Sequence, residues 1–164
     1  MSDYPLITFV EDDGGREAAA FKGKTGDCVT RAISIAMNRE YEEVYAALSE
    51  GSKNQRVTKH SPQKASARNG VSVKRKWFKD YMAAQGWAYV PTMTIGSGCR
   101  VHLRADELPH GRLVVQVSKH YTCVIDGVLH DTWDCSREGT RCVYGYWKNV
   151  GFDWNGQLRG IENV

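Results

Sequence analysis

Residues 118–133 read SKHYTCVIDGVLHDTW, and this stretch decides the fold prediction. Residues 121–125 and 128–132 read as strands, because β-branched and apolar side chains recur in them at a period of two. Between them stands Asp126-Gly127, a dipeptide that favours a two-residue β-hairpin turn. The stretch therefore predicts two antiparallel strands joined by a tight turn.

The register of this hairpin places a histidine near a carboxylate. With a two-residue turn, Ile125 lies opposite Val128, and counting back along both strands puts His120 opposite Trp133. Asp131 is then a diagonal neighbour of His120 on the same face, roughly 7–8 Å away between Cα atoms and within side-chain reach. The hairpin therefore predicts an imidazole–carboxylate pair with an indole beside it.

Towards the N-terminus, apolar residues at three- and four-residue spacing predict helices. The first helix begins after Asp27, which is a favourable N-cap residue. A second helix follows Asn38-Arg39 and ends near Gly51, and a third runs from a Ser72 cap to Gly86. Residues 1–26, which precede the first helix, read as an extended polar lead-in.

After residue 86 the pattern changes to strands. Besides the hairpin, strands are predicted at residues 87–90, 101–103, 113–117 and 142–147. Helices followed by an antiparallel sheet indicate the α+β class rather than alternating βαβ units. We expect one domain over residues 1–164, with a helical part at about 27–86 and a sheet part at about 87–150.

The composition is that of an ordinary globular chain, with 164 residues, 41% hydrophobic and 25% charged. It contains no apolar run of the roughly 18 residues that cross a bilayer. The N-terminus lacks the basic and apolar regions of a signal peptide, so a cytoplasmic location without a membrane span is expected. A net charge of +3 does not by itself predict a polyanionic partner.

The five cysteines are widely spaced and include no Cys-x-x-Cys pair, which argues against a zinc site or a disulfide scaffold. Cys99, Cys123 and Cys142 are interpreted as buried thiols that pack as small apolar groups. A disulfide between Cys135 and Cys142 is disfavoured in a reducing compartment. No metal and no cofactor is predicted.

Cys28 stands apart from the other cysteines. It follows Gly26-Asp27 in the first turn of the first predicted helix. The field of a helix N-terminus lowers the pKa of a thiol, and free N–H groups there stabilise an oxyanion. A buried structural cysteine is the commoner alternative, but this position favours a nucleophile.

These elements together resemble the papain-like cysteine peptidases, particularly the short bacterial and viral members. The match lies in Gly26-Asp27-Cys28 and in residues 118–121 through Asp131-Thr132-Trp133. The resemblance implies a papain-like fold in which the nucleophile opens a helix that packs on the sheet. It also implies that Cys28 attacks, His120 acts as its base, Asp131 holds the imidazole and Trp133 shields the pair.

The chain departs from the family before the cysteine. Many members carry a Gln there as an oxyanion donor, whereas this chain has Lys22-Gly23-Lys24-Thr25. Thr25, Lys22 and backbone N–H groups are the candidates to replace that donor.

The predicted function is therefore a thiol-dependent hydrolase that cleaves an amide, peptide or isopeptide bond through a thioester. Its expected partner is a peptide or protein substrate, and an acyltransferase would share the same machinery. The alternative is a non-catalytic or inhibitory binding module, of the kind that phages and mobile elements encode, which binds nucleic acid or a host protein.

Residues 51–70 are predicted to form a long basic loop, because they contain few side chains that could pack. No acidic residue occurs from Lys53 to Lys79. Such a loop is a candidate for binding an acidic substrate segment, although a solvated loop is the simpler interpretation. The candidate substrate-binding residues are Lys53, Arg56, Lys59, Lys64 and Arg68.

Overall fold

The computed structural model describes residues 6–21, 26–58, 67–68 and 70–151. This part of the chain is of mixed α and β structure, as the sequence predicts. Its helices are α1 Cys28–Met37, α2 Tyr41–Asn54 and α3 Lys76–Ala84. Its strands are β1 Thr8–Glu11, β2 Trp87–Pro91, β3 Arg112–Val117, β4 His120–Ile125, β5 Val128–Asp131 and β6 Val143–Asn149. None of the described helices is long and apolar enough to cross a membrane.

The six strands form one sheet in the order β1-β5-β4-β3-β6-β2. The prediction of a purely antiparallel sheet is wrong, because β1 pairs with β5 in parallel, with Thr8 opposite Val128 and Glu11 opposite Asp131. The prediction that residues 1–26 are only a lead-in is wrong for the same reason. Strand β1 has only four residues and an exposed Val10, so it lacks the alternation of buried and exposed side chains by which a strand is predicted from sequence.

The predicted hairpin is confirmed. Ile125 lies opposite Val128, and the pairing continues to Cys123 opposite His130. Asp126 and Gly127 have φ angles of 47° and 77°, the positive values that a type I′ turn requires.

A second tight turn, which the sequence analysis did not predict, joins β3 to β4. Val117 pairs with His120, so Ser118 and Lys119 alone form the turn, with Lys119 at a φ of 54°. His120 is therefore the first residue of β4 and lies where the chain reverses.

Apolar side chains cover both faces of the sheet. On one face α1 and α3 pack on β3, β4 and β6, around the fully buried Ile33, Phe78 and Val114. On the other face Leu103 and Leu108 cover the inward side chains of the same strands. The sheet is thus held between two apolar layers, and α1 lies against the strand that begins with His120.

The helix boundaries differ from the prediction at α2 and α3. Helix α2 runs past Gly51 to Asn54, and the ring of Trp77 packs where a Cβ at Gly51 would lie. Trp77 also donates from its indole N–H to the buried Gln55 side chain at 3.1 Å. Helix α3 begins at Lys76 rather than at a Ser72 cap.

These boundaries shorten the predicted basic loop. Residues 51–54 are helical, and residues 55–58 continue from them in the described part of the chain. Residues 59–66 and 69 lie outside the described residues, so the rest of the loop prediction falls there.

A disulfide joins Cys99 to Cys142, with 5.7 Å between the two Cα atoms. The interpretation of these two cysteines as buried thiols is wrong. The chain from Cys99 runs beside the start of β6, where His102 and Cys142 form an isolated bridge in place of the strand predicted at residues 101–103. Cys28, Cys123 and Cys135 are free thiols.

This disulfide is expected to contribute substantially to stability. It closes a segment with a sequence separation of 43 residues, and the loss of that constraint in the unfolded chain costs about 4 kcal/mol in the chain-entropy model. Urea unfolding of a Cys99→Ser/Cys142→Ser protein should show a free energy of unfolding lower by about 2–4 kcal/mol. The phosphine reductant TCEP should destabilise the wild type similarly and leave the double variant unchanged. If TCEP does not change the urea midpoint of the wild type, the assignment of the Cys99–Cys142 disulfide is contradicted.

Candidate active site

Cys28 is the first residue of α1 and is half-buried. Asp27 occupies the N-cap position as predicted, but its side chain makes no capping hydrogen bond. Its buried carboxylate instead accepts hydrogen bonds from Arg31 and from the Tyr41 hydroxyl at 2.6 Å, and lies 3.3 Å from Arg16 Nε. The N–H groups of the first turn, which have no intrahelical partners, are therefore left without a side-chain cap beside the thiol.

His120 and Asp131 form the pair that the hairpin register predicts. His120 Nε2 lies 2.7 Å from Asp131 Oδ2, and the two side chains are only 9% and 3% exposed. Because a carboxylate only accepts, Nε2 carries the hydrogen and donates it. Burial raises the pKa of Asp131, but the hydrogen bonds that the carboxylate accepts and the charge of His120 together outweigh this effect, so the pKa is lowered and the carboxylate stays ionised.

The Cys28 thiol lies close enough to His120 and to the backbone N–H of Tyr121 for both groups to lower its pKa. Since Nε2 is engaged by Asp131, Nδ1 is the ring nitrogen that remains for the thiol. Burial disfavours the thiolate of Cys28, but the interactions with His120 and with the Tyr121 N–H and the charges of His120 and Arg31 together outweigh burial and lower the pKa of the thiol.

The pKa of His120 changes in the opposite direction. Burial disfavours the imidazolium, yet hydrogen bonds with Asp131, Cys135 and Cys28 outweigh burial and raise its pKa to about 11. A thiol with a lowered pKa beside an imidazole with a raised one favours a thiolate–imidazolium pair. In such a pair the sulfur attacks as the thiolate, the reactive form of cysteine.

Trp133 lies beside the imidazole, as the sequence predicts. Its ring centroid is 5.4 Å from that of His120, and the residue is 49% exposed. The indole therefore covers one side of the His120–Asp131 pair while its other side remains open to solvent.

Arg31 is a site residue that the sequence analysis missed. Its guanidinium donates to Asp27 and also lies 3.6 Å from Asp131 Oδ1. It thus links the carboxylate at the start of α1 to the carboxylate behind His120. Its position three residues after Cys28 and four after Asp27, on the same side of a helix, was the available signal.

Arg141 is a second residue that was missed. It is buried, donates to the Ser118 carbonyl at 2.5 Å and lies with its guanidinium carbon 5.9 Å from the centre of the Trp133 ring. It therefore ties the turn that precedes His120 to the indole beside it. Nothing in the spacing of the sequence indicated this contact.

The proposed oxyanion donors Lys22 and Thr25 lie outside the described residues. Of the candidate substrate-binding residues, Lys53, Arg56 and Arg68 are exposed in the structure. Lys59 and Lys64 lie outside the described residues. The structure does not bring the described basic residues of this set into the site around Cys28.

One group of described side chains has the composition of a metal site. The donor atoms of His120, Asp131 and Cys135 all lie within 4.8 Å of one another. The same three groups are connected by hydrogen bonds, since Cys135 Sγ donates to Asp131 Oδ2 at 3.6 Å and His120 donates to the same oxygen. These hydrogen bonds account for the cluster without a metal ion.

Comparison with protein-family models, with curated proteins and with solved structures gave no match in any of the three.

Proposed function

We propose that this protein is a papain-like, thiol-dependent hydrolase that cleaves an amide or peptide bond. The observation that carries the proposal is the buried His120–Asp131 pair, with 2.7 Å between Nε2 and Oδ2, together with Cys28 at a helix N-terminus, where His120 lowers the pKa of its thiol. These three residues supply a nucleophile, a base and a group that fixes the tautomer of the base.

In the first half of the reaction, His120 Nδ1 holds the thiol proton and Cys28 Sγ attacks the substrate carbonyl carbon. The oxygen becomes an oxyanion, and the N–H groups of the first turn of α1 are positioned to donate to it. The C–N bond then breaks as His120 returns the proton to the departing nitrogen. The products of this half are a free amine and a thioester on Cys28.

In the second half, the oxygen of a water molecule attacks the thioester carbon while His120 removes a proton from that water. The C–S bond breaks, the acid leaves, and the thiolate–imidazolium pair is restored. An amine in place of water would give acyl transfer with the same residues. Cleavage of an isopeptide bond requires no additional group.

Selective alkylation of Cys28 tests the proposal. A brief exposure to iodoacetamide at pH 6.5 should label Cys28 at least about tenfold faster than Cys123 or Cys135, because only Cys28 combines exposure with a lowered pKa. Peptide mass spectrometry measures the three rates. The matched variant His120→Gln should slow the labelling of Cys28 towards that of an ordinary thiol.

Two controls test whether the selective labelling of Cys28 depends on the fold and on a bound metal. In urea the three free thiols should react at similar rates, which shows that the selectivity belongs to the fold. Pre-incubation with EDTA should leave the labelling unchanged, whereas an effect would point to a metal on His120, Asp131 and Cys135. Equal labelling of the three thiols in the native protein would remove the nucleophile assignment.

The alternative binding module finds no specific support in the described residues. Lys76 pairs with Asp80 at 2.6 Å and Arg75 donates to Thr58, so part of the basic stretch is engaged within the chain.

A further inference from the structure

A groove of about 920 Å³ opens beside the candidate active site. Helix α3 forms one wall, and residues 93–98, which follow β2, form the other. Its floor is the sheet face that carries Tyr89, Gln116, Tyr121 and Trp147. The groove is therefore bordered by elements on both sides and is open along its length.

The floor of the groove reaches the strand that begins with His120. Tyr121, which lines the groove, follows His120 in β4, and Cys28 packs against the buried cluster that contains Tyr121. The groove and the candidate nucleophile therefore share Tyr121 as a neighbour.

The floor is aromatic and is held in place. The rings of Tyr89 and Trp147 have centroids 5.2 Å apart, and Tyr89 lies where a Cβ at Gly145 would be. Ile95, at the edge of the opposite wall, is fully exposed. An apolar side chain of a ligand placed between them would bury these surfaces.

A polar donor also lines the groove. Tyr89 donates to Gln116 Oε1 at 2.9 Å, which leaves the Gln116 amide N–H groups without a partner in the described part of the chain. The indole N–H of Trp147 is buried and lies near the Tyr121 hydroxyl, but outside good hydrogen-bond geometry. The Gln116 amide is therefore the donor suited to a peptide carbonyl oxygen, because the indole N–H of Trp147 has no exposed surface.

The charge of the groove is positive at the α3 side. Lys74 and Lys79 line it, are exposed and form no ion pair with the described residues. Asp80 also lines the groove, but Lys76 pairs with its carboxylate. An anionic ligand group is therefore favoured at this edge.

We propose that this groove binds the substrate of the proposed hydrolase, and that the substrate is a peptide segment with a large apolar side chain next to an acidic residue. The apolar side chain lies on Tyr89 and Trp147, and the carboxylate reaches Lys74 and Lys79. Single-stranded nucleic acid fits less well, because two lysines at one edge do not form a basic track along a phosphate backbone. This inference rests on the proposed function but can fail separately from it.

Binding to a Cys28→Ala protein tests the groove without requiring catalysis. The probes are three acetylated peptide amides: Ala-Glu-Phe-Gly-Ala, Ala-Lys-Phe-Gly-Ala and Ala-Glu-Ala-Gly-Ala. Dissociation constants are measured at low salt from the NMR shifts of the tryptophan indole N–H resonances. The first peptide should bind at least about tenfold more tightly than either of the others.

Two pairs of variants locate the binding. Ala83→Trp fills the groove and should weaken the first peptide at least about tenfold, whereas Ala84→Trp, on the same exposed turn but outside the groove, should not. Lys74→Glu/Lys79→Glu should remove the preference for Glu over Lys, and Lys53→Glu, away from the groove, should retain it. Each variant is first checked by its thermal melt.

Equal binding of the three peptides, or an Ala83→Trp protein that binds as well as the control, would overturn the proposal. Displacement of the first peptide by an equimolar ten-residue thymidine oligonucleotide would also overturn it, in favour of nucleic acid. If these peptides bind as expected while Cys28 shows no selective reactivity, peptide binding in the groove is supported and the hydrolase proposal is contradicted. If Cys28 reacts selectively but the peptides do not bind as expected, the hydrolase proposal is supported and this substrate class is contradicted.

Discussion

Replacing Cys28 with Ala is expected to reduce the hydrolysis of a small uncharged thioester to its spontaneous rate, a loss of at least about 10³-fold. A thioester of N-acetylglycine is a suitable probe, because it does not depend on the groove or on the basic residues. The sulfur is the only atom proposed to form a covalent bond with the substrate, and Ala leaves nothing that can replace it. The release of free thiol, followed by absorbance, measures the rate.

The fold should survive this change, since Cys28 is only half-buried at the end of a helix. Cys28→Ser keeps the size of the side chain and should be equally inactive, because a hydroxyl is not ionised in this environment. Cys123→Ala is the matched control: it removes a fully buried thiol of β4 and should cost roughly 1 kcal/mol of stability while retaining turnover. Turnover that persists in Cys28→Ala would show that the thiol is not the nucleophile.

Replacing Asp131 with Asn is expected to lower turnover about 10²- to 10⁴-fold and to narrow its pH range. Asn keeps the shape of the side chain but removes the charge that supports the imidazolium of His120. An amide can also donate towards Nε2, which favours the wrong tautomer of the ring. Both effects act on the base rather than on the thiol itself.

The direction of the pH change follows from the two pKa shifts. Activity of the thiolate–imidazolium pair rises through the lowered pKa of Cys28 and falls through the raised pKa of His120, so the wild type should have a broad plateau. Without the charge of Asp131 the pKa of His120 falls, and the alkaline limb moves to lower pH. The weaker imidazolium then supports the thiolate less, so the acid limb moves to higher pH.

The pH dependence of turnover and of the iodoacetamide rate measures both limbs. Asp134→Asn is a matched control, because this neighbouring carboxylate bonds Ser136 rather than the histidine. An Asp131→Asn protein with wild-type turnover and unshifted limbs would show that the carboxylate does not act through His120.

Local chemistry explains why part of the fold and site was predictable from the sequence. Asp126-Gly127 fits a turn with two positive φ angles, and this turn sets the pairing of β4 with β5. The pairing in turn places His120 and Asp131 on one face. The side-chain alternation and the turn chemistry agree, so a single register satisfies both.

Contacts between distant segments were not predictable in the same way. β1 pairs in parallel with β5 across more than a hundred residues, and Cys99 meets Cys142 only because the chain after β2 returns beside β6. No pattern of neighbouring residues in the sequence predicts either contact, because each one depends on how the sheet positions two segments that are far apart in the chain. The incorrect antiparallel sheet and the incorrect interpretation of these cysteines have this common cause.

The sequence by itself determined the hairpin, the helix that Cys28 opens and the candidate roles of Cys28, His120 and Asp131. These features follow from turn geometry, helix periodicity and thiol chemistry, all of which act over a few residues. Only the tertiary structure decided that Asp27 pairs with Arg31 instead of capping α1, that Arg31 reaches Asp131, and that an aromatic groove includes Tyr121, the residue after His120. A buried charge needs a partner, and which residue becomes that partner depends on how the helices and strands pack around it.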